Sequence, residues 1–190
     1  MSRVPGQRGT PPPLLRGVFG HCPACGSDLC RLRGDGVLAP VGHELGHERC
    51  PGVGGRPAAV RGGAGFCVPG AGRVHGAMLM TYRPARPWEV ALEFNPTFEA
   101  TVWSVGRGLL VAGLRRAVGV GDVRVGPECA RWLSLRLTGT AAGTGAVRTE
   151  ELWCERRQMA WFLRATMVVV PFGREPRIWQ PAALPADWGV

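Results

Sequence analysis

Apolar and polar residues alternate along much of the second half of the chain at the period of a β-strand. Residues 132–138 place leucine at every second position, with polar residues between. Because successive side chains of a strand point to opposite faces, this pattern predicts a strand with one buried face. Apolar and β-branched runs predict further strands at residues 88–94, 100–105, 121–125 and 146–153.

Two segments change to the period of a helix. Met159, Phe162, Leu163 and Thr166 are spaced i, i+3, i+4 and i+7, which predicts an amphipathic helix over about residues 155–166. Residues 106–114 are a shorter candidate. Five or six successive strands with two short helices predict an α+β domain built on antiparallel sheet.

The first part of the chain differs in composition. Residues 1–75 hold 17 Gly and 9 Pro, whereas residues 76–190 hold 12 and 8. Gly-rich backbone loses much conformational entropy on folding, so we expect this part to be disordered except where something external ties it. The predicted division is a disordered tail (1–20), a zinc-ribbon-like module (21–52), a Gly/Pro-rich linker (53–75), a folded domain (76–176) and a Pro- and Trp-containing tail (177–190).

Charge and hydropathy indicate a cytoplasmic protein with no membrane span. The net charge is +9, and all 23 basic residues are Arg, scattered along the chain. The N-terminal residues lack the apolar region of a signal peptide, and the longest apolar stretch, residues 167–172, is far shorter than the roughly 20 residues that span a bilayer. In a reducing compartment, clustered cysteines point to metal binding rather than to disulfides.

The candidate metal ligands lie in the first part. Cys22 and Cys25 form a C-x-x-C motif whose two thiolates can reach one zinc ion, and Gly26 lets the backbone turn behind them. Cys50 returns a third thiolate, and the intervening loop carries histidines. The predicted ligand set is Cys22, Cys25, His43 and Cys50, with His47, Cys30 and His21 as alternatives for the fourth position.

This segment is similar to short CPxCG…H…CPG zinc-ribbon-like segments in proteins of GC-rich bacteria. The similarity covers about residues 22–52 and implies a structural Zn²⁺ ion. Asp35-Gly36 is predicted to form a hairpin turn within it. The alternative is an unstructured tail with incidental cysteines, including a translation start at Met78 or Met80.

Four short blocks follow one another in the second half: W-x-x-G-R-x-L-L-x-x-G-L at 103–114, G-x-G-D-V at 119–123, F-L-x-x-T at 162–166 and V-P-x-G-x-E at 170–175. In this order they resemble the SsgA-like family of sporulation and cell-division regulators of sporulating filamentous bacteria. The residues themselves suggest that Arg107 pairs with a carboxylate such as Asp122. Glu175 can accept backbone N–H bonds in a turn closed by Pro171 and Gly173.

The resemblance implies twisted antiparallel β-sheets in a whirly-like, barrel-like arrangement, with one or two helices. It implies a non-enzymatic regulator of sporulation-specific cell division and septum assembly, acting through protein–protein contacts at the cell septum. The implied partners are divisome proteins such as FtsZ or a paralogous SsgA-like protein, and the implied assembly is a homo-oligomer, a trimer. The resemblance carries over no catalytic residue, and we find no catalytic motif in the sequence.

Three features depart from the family pattern. The chain is basic where the family is usually acidic, it carries the Cys-rich extension, and Pro181 and Pro185 interrupt the helix that usually follows. Trp179 and Trp188 are expected to cap an apolar groove of the sheet, the alternative being an exposed aromatic patch for a partner. The alternative function is a single-stranded nucleic-acid-binding regulator that uses an Arg/Trp surface and a structural zinc module.

Overall fold

The computed structural model describes residues 14–39, 50–69, 74–95, 101–140 and 147–175. Within these ranges the chain forms nine strands and two helices. In chain order they are β1 (Leu14–His21), β2 (Cys30–Arg33), β3 (Ala59–Cys67), β4 (Val74–Tyr82), β5 (Glu89–Asn95), β6 (Thr101–Gly106), α1 (Arg107–Gly113), β7 (Val123–Pro127), β8 (Trp132–Thr140), β9 (Val147–Glu155) and α2 (Arg156–Val169).

The strands form a single antiparallel sheet, bent into a nearly closed barrel. The main path runs β6-β5-β4-β3-β9-β8-β7, and β1 pairs with both β2 and β3. Strand β3 joins the two halves of the barrel. It pairs with β4 along one edge, while its other edge pairs first with β1 and then, at Phe66 and Cys67, with β9.

The α+β, antiparallel, barrel-like fold expected from the sequence is confirmed. The leucines of 132–138 lie buried on β8 as predicted, and the predicted helix over 155–166 is α2. Helix α2 continues to Val169 because its final turn still packs against the core, where Val169 is buried.

The structure differs from the predicted division of residues 1–75. Ala59–Cys67, in the predicted linker, form β3, and Leu14–His21, mostly in the predicted disordered tail, form β1. A glycine in β3 explains the difference. A Cβ atom on Gly62 would lie 3.0 Å from Cδ2 of Phe162, so glycine here lets α2 pack closely on the strand. Composition alone does not separate this use of glycine from flexibility.

One hydrophobic core serves the whole described chain. Helix α2 packs on β1, β3 and β9. Val18, Leu32 and Leu38 from the N-terminal part belong to the same buried cluster as Leu110 and Leu133 from the second half. The first part of the chain is therefore a component of the barrel and not an appended module.

Trp103 brings strand β6 close to β8. A Cβ atom built on Gly139 of β8 would lie 2.6 Å from Cη2 of the Trp103 ring. The half-buried indole packs against the core and occupies the space that the glycine leaves.

Several sequence predictions fall outside the described residues. These are the ligand His43 and its alternative His47, the tryptophans Trp179 and Trp188, the C-terminal tail 177–190 and residues 1–13. Among the helices that the structure describes, none combines the length and the apolar character that crossing a membrane requires.

Replacing Gly139 should destabilise the barrel. Gly139→Ala places a methyl group within the contact distance of the rigid Trp103 ring, so we expect the free energy of unfolding to fall by about 1–3 kcal/mol in urea denaturation. Gly108→Ala is the matched control, because nothing lies within 4 Å of its new Cβ. Alanine in the helix should stabilise the control by up to about 1 kcal/mol. Equal stability of the Gly139→Ala variant and wild type would contradict the packing described.

Candidate metal centre and buried ion pair

Three of the four predicted metal ligands lie together. The Sγ atoms of Cys22, Cys25 and Cys50 are within 4.8 Å of one another, and those of Cys22 and Cys50 are 3.8 Å apart. Tetrahedral zinc with Zn–S bonds of about 2.3 Å separates its sulfur ligands by about 3.8 Å. All seven cysteines lie in the described ranges, and none forms a disulfide. The three thiols can therefore bind a metal ion.

Two tight turns present these thiols. In the first, Gly26 N donates to the carbonyl oxygen of Cys22 at 2.9 Å, and Gly26 has φ +74°, a conformation that glycine adopts without strain. In the second, Gly52 N donates to Cys50 Sγ at 3.4 Å. N–H groups directed at sulfur favour the thiolate, which is the form that binds metal.

Gly52 allows the two turns to meet. A Cβ atom at this position would lie 2.2 Å from Cys22 Sγ and 3.5 Å from Cys50 Sγ. A larger residue would push the second turn away from the first. In the Cys-Pro-Gly sequence, the cysteine is thus a candidate ligand, and the glycine is needed for the close approach of the two turns.

The cluster perturbs the pKa values of two thiols in opposite directions. Burial acts to raise the pKa of Cys22, but hydrogen bonds from the backbone N–H groups of Cys25 and Ala24 outweigh it, so the pKa of Cys22 is lowered. For Cys50, the hydrogen bond from the Gly52 N–H acts to lower the pKa. Burial and the neighbouring thiols outweigh this bond, so the pKa of Cys50 is raised. Crowded thiols of this kind release protons when a cation neutralises them.

Two of the alternative fourth ligands lie within the described residues, and neither belongs to this three-thiol group. Cys30 is buried, its Sγ donates to the Ser27 carbonyl oxygen at 3.6 Å, and burial raises its pKa to about 11. His21 Nδ1 lies 2.8 Å from Asp28 Oδ1, and Asp28 Oδ2 also accepts from Arg61 at 2.5 Å.

Arg107, buried at the start of α1, forms the second polar centre. Its side chain is 1% exposed. Nη2 donates to Glu175 Oε1 at 2.5 Å. Nη1 donates to three oxygens: Tyr82 Oη at 3.1 Å, the Val170 carbonyl at 2.8 Å and the Thr166 carbonyl at 3.3 Å. One guanidinium therefore connects β4, α1, α2 and the turn after α2.

Aromatic rings complete the surroundings of this guanidinium. Its central carbon lies 5.1 Å from the centroid of Tyr82 and 4.4 Å from that of Phe172. The negative faces of such rings attract a cation. Burial raises the pKa of Tyr82, so its hydroxyl stays neutral beside the arginine.

Glu175 is held as a carboxylate. Burial acts to raise its pKa, but its own backbone N–H, the Gly173 N–H and Arg107 outweigh burial, so the pKa of Glu175 lies below its usual value. Gly173 N donates to Oε2 at 2.5 Å, and Arg174 N donates to the Pro171 carbonyl at 3.1 Å. The predicted turn and its backbone bond to Glu175 are both present.

The predicted partner of Arg107 was wrong. Asp122 is exposed in the turn before β7, where its carbonyl oxygen accepts a bond from Thr138 N at 2.7 Å. Glu175 reaches Arg107 because the turn after α2 folds back beneath the helix. Tyr82 is a further partner of Arg107 that no motif indicates, and its one sequence signal is that it is the single tyrosine of the chain.

The first and the last of the four sequence blocks thus each supply one residue of the same ion pair, Arg107 and Glu175. The whole stretch 77–175 matches the family model described as Streptomyces sporulation and cell division protein, SsgA. The chain belongs to this family.

Relatives of the SsgA family confirm the resemblance. SsgB of Salinispora tropica, named a sporulation-specific cell division protein, is 38% identical over 100 residues, which cover 50% of this chain and 67% of that protein. SsgB of Frankia casuarinae is 32% identical over 112 residues, covering 58% and 76%. SsgB of Streptomyces coelicolor is 33% identical over 99 residues, covering 52% and 70%.

Solved structures share the fold. A structure from work on SsgB mutations and longitudinal cell division in Streptomyces coelicolor superposes with a TM-score of 0.53 and 25% identity, covering 62% of this chain and 93% of the other. An SsgA-like sporulation-specific cell division protein from Thermobifida fusca gives 0.51 at 22% identity, covering 62% and 84%, which shows the fold alone.

The charge of Glu175 should make stability depend on pH. Because its folded pKa is lowered, its contribution is present above the unfolded value of about 4.3 and is lost as pH falls through the folded pKa. We expect Glu175→Gln to destabilise at about pH 6 and the difference from wild type to shrink toward about pH 3. Urea denaturation across this range measures it.

Glu89→Gln is the control, because Glu89 forms an exposed pair with Arg86 at 3.2 Å. Its effect should stay below about 1 kcal/mol at every pH. A Glu175→Gln deficit that does not change with pH would contradict the assignment of the stabilising charge.

Proposed function

We propose that this chain is a non-enzymatic regulator of sporulation-specific cell division and septum assembly, acting through protein–protein contacts in the cytoplasm at the cell septum. The observation that carries the proposal is membership of the SsgA family, whose relatives are named sporulation-specific cell division proteins. Arg107 and Glu175, which belong to the family blocks, support it further. Their hydrogen bonds go to groups of the fold itself, as expected of residues with a structural role.

The outer face of β4–β6 is the surface on which we propose that a partner docks. Leu79 and Val102 are 39% and 60% exposed there. They flank Glu93, since Leu79 pairs with Glu93 and Glu93 with Val102 across the sheet. The proposed partners are FtsZ or a paralogous SsgA-like protein, and the proposed assembly is a homo-oligomer, a trimer.

A tagged copy should localise to septa in sporulating filaments, and deletion should disturb spore division. Pulldown from the same cells should recover FtsZ or an SsgA-like protein, and Val102→Glu should reduce that recovery at least tenfold, since a charge in an apolar contact is poorly tolerated. Val147→Glu is the matched control, because Val147 is an exposed valine (73%) on β9.

Uniform cytosolic signal, together with no division phenotype, would contradict the proposal. Recovery that disappears on nuclease treatment and weakens steeply with salt would instead support the nucleic-acid alternative. Arg124 and Arg136 are exposed and pair across β7 and β8, but Glu151 of β9 pairs with Arg136 on its other side and supplies a compensating negative charge.

We further propose that Cys22, Cys25 and Cys50 hold a structural Zn²⁺ ion, with His43 as the fourth ligand. The sulfur spacing, the N–H groups directed at sulfur and the close approach at Gly52 support it. Bound zinc would cross-link the two turns. A site closed by four protein ligands leaves no position for a substrate.

Purified full-length chain should contain one zinc per molecule, and cobalt should replace it with the absorption of tetrahedral thiolate coordination. Cys22→Ser and Cys50→Ser should abolish this metal content, whereas Cys129→Ser, at an exposed cysteine outside the group, should retain it. The zinc content of His43→Ala and of His47→Ala distinguishes the two histidines as the fourth ligand, and we expect only His43→Ala to lower it. Metal content unchanged in both cysteine variants would refute the site.

A further inference from the structure

The C-terminal end of α2 is stabilised from outside the helix. The last four carbonyl groups of any helix lack partners within it. Basic side chains in the last turn of a helix often donate hydrogen bonds to these carbonyl groups, but α2 has no basic residue there. Two arginines from elsewhere in the chain donate instead. Arg107 donates to the Thr166 and Val170 carbonyls, and Arg56 donates to the Val169 carbonyl.

Arg56 is positioned by the second cysteine turn. It lies six residues after Cys50 and one residue after Gly55. Gly54 N donates to the Leu38 carbonyl oxygen, and Leu38 N donates to the Gly55 carbonyl oxygen, both at 2.9 Å. These bonds tie the turn to the segment that follows β2.

That same segment touches α2 directly. Gly36 has φ +80°, and a Cβ atom there would lie 2.9 Å from Val168 Cγ1 and 3.0 Å from the Val168 carbonyl oxygen. The turn after Cys50 and the segment after β2 that contains Gly36 and Leu38 are therefore hydrogen-bonded to each other and pack on the last turn of α2. This last turn leads directly to the Arg107–Glu175 pair.

We propose that the metal held by Cys22, Cys25 and Cys50 stabilises the C-terminal end of α2, because it helps to fix Arg56 there and so supports the Arg107–Glu175 pair. This inference rests on the proposed metal site. Within the described residues, the Cys50 turn is joined to the Cys22 turn by the packing of the thiols and by Ala58 N, which donates to the His21 carbonyl oxygen at 3.0 Å. Loss of the ion removes the cross-link between the thiols, so Arg56, the donor to the Val169 carbonyl, is held less firmly on the last turn of α2.

Hydrogen exchange on the full-length chain tests the coupling, with zinc bound and after removal by a chelator under reducing conditions. The reporters are the amides of Val170, Gly173 and Arg174, which are hydrogen-bonded at the end of α2 and in the following turn. Zinc removal should speed their exchange at least tenfold, and by more than it speeds exchange in β7 and β8. Saturating zinc should raise Tm by roughly 5–10 °C.

Arg56→Met separates coupling from metal binding. The variant should still bind one zinc per chain, but zinc should no longer slow exchange at Val170–Arg174. Arg115→Met is the matched control, because Arg115 is exposed beyond α1, and it should behave as wild type. If no zinc binds, the metal site and the coupling are both refuted. If zinc binds without protecting the reporters, or protects them equally in Arg56→Met, the coupling alone is refuted.

Discussion

A guanidinium and a carboxylate buried together are stable only while each keeps its partners, because either one alone would leave a charge without compensation away from water. Arg107 and Glu175 meet this condition through a direct bond at 2.5 Å and through donors and acceptors on β4, α2 and the turn after α2. The pair joins the start of α1 to the turn after α2. Loss of one partner would affect every element that the other contacts.

Strand β3 has the corresponding role in the sheet. It is the link between β4 on one side and β1 and β9 on the other, so the two halves of the barrel depend on it. Gly62 of β3 leaves room for α2, whose Phe162 lies over it. Residues before the family match at 77–175 therefore supply a central strand.

The N-terminal cysteine turns extend this dependence. They lie at the end of β1 and before β3, and the chain between them and β3 carries Arg56 to α2. The chain after the cysteine turns and the ion pair thus both reach the last turn of α2. These contacts hold the N-terminal part, α2 and the ion pair together within the described residues.

The sequence by itself determined the strands and helices of the second half, because period-2 and period-3.6 patterns such as those of 132–138 and 159–166 are local. It also indicated which three cysteines lie together, since spacing within Cys22-x-x-Cys25 is local and few residue types bind zinc. Only the tertiary structure decided that Arg107 pairs with Glu175 and not Asp122, since these groups are 68 residues apart. It alone showed β1 and β3 as strands, because the reason for glycine at position 62 is a helix one hundred residues later.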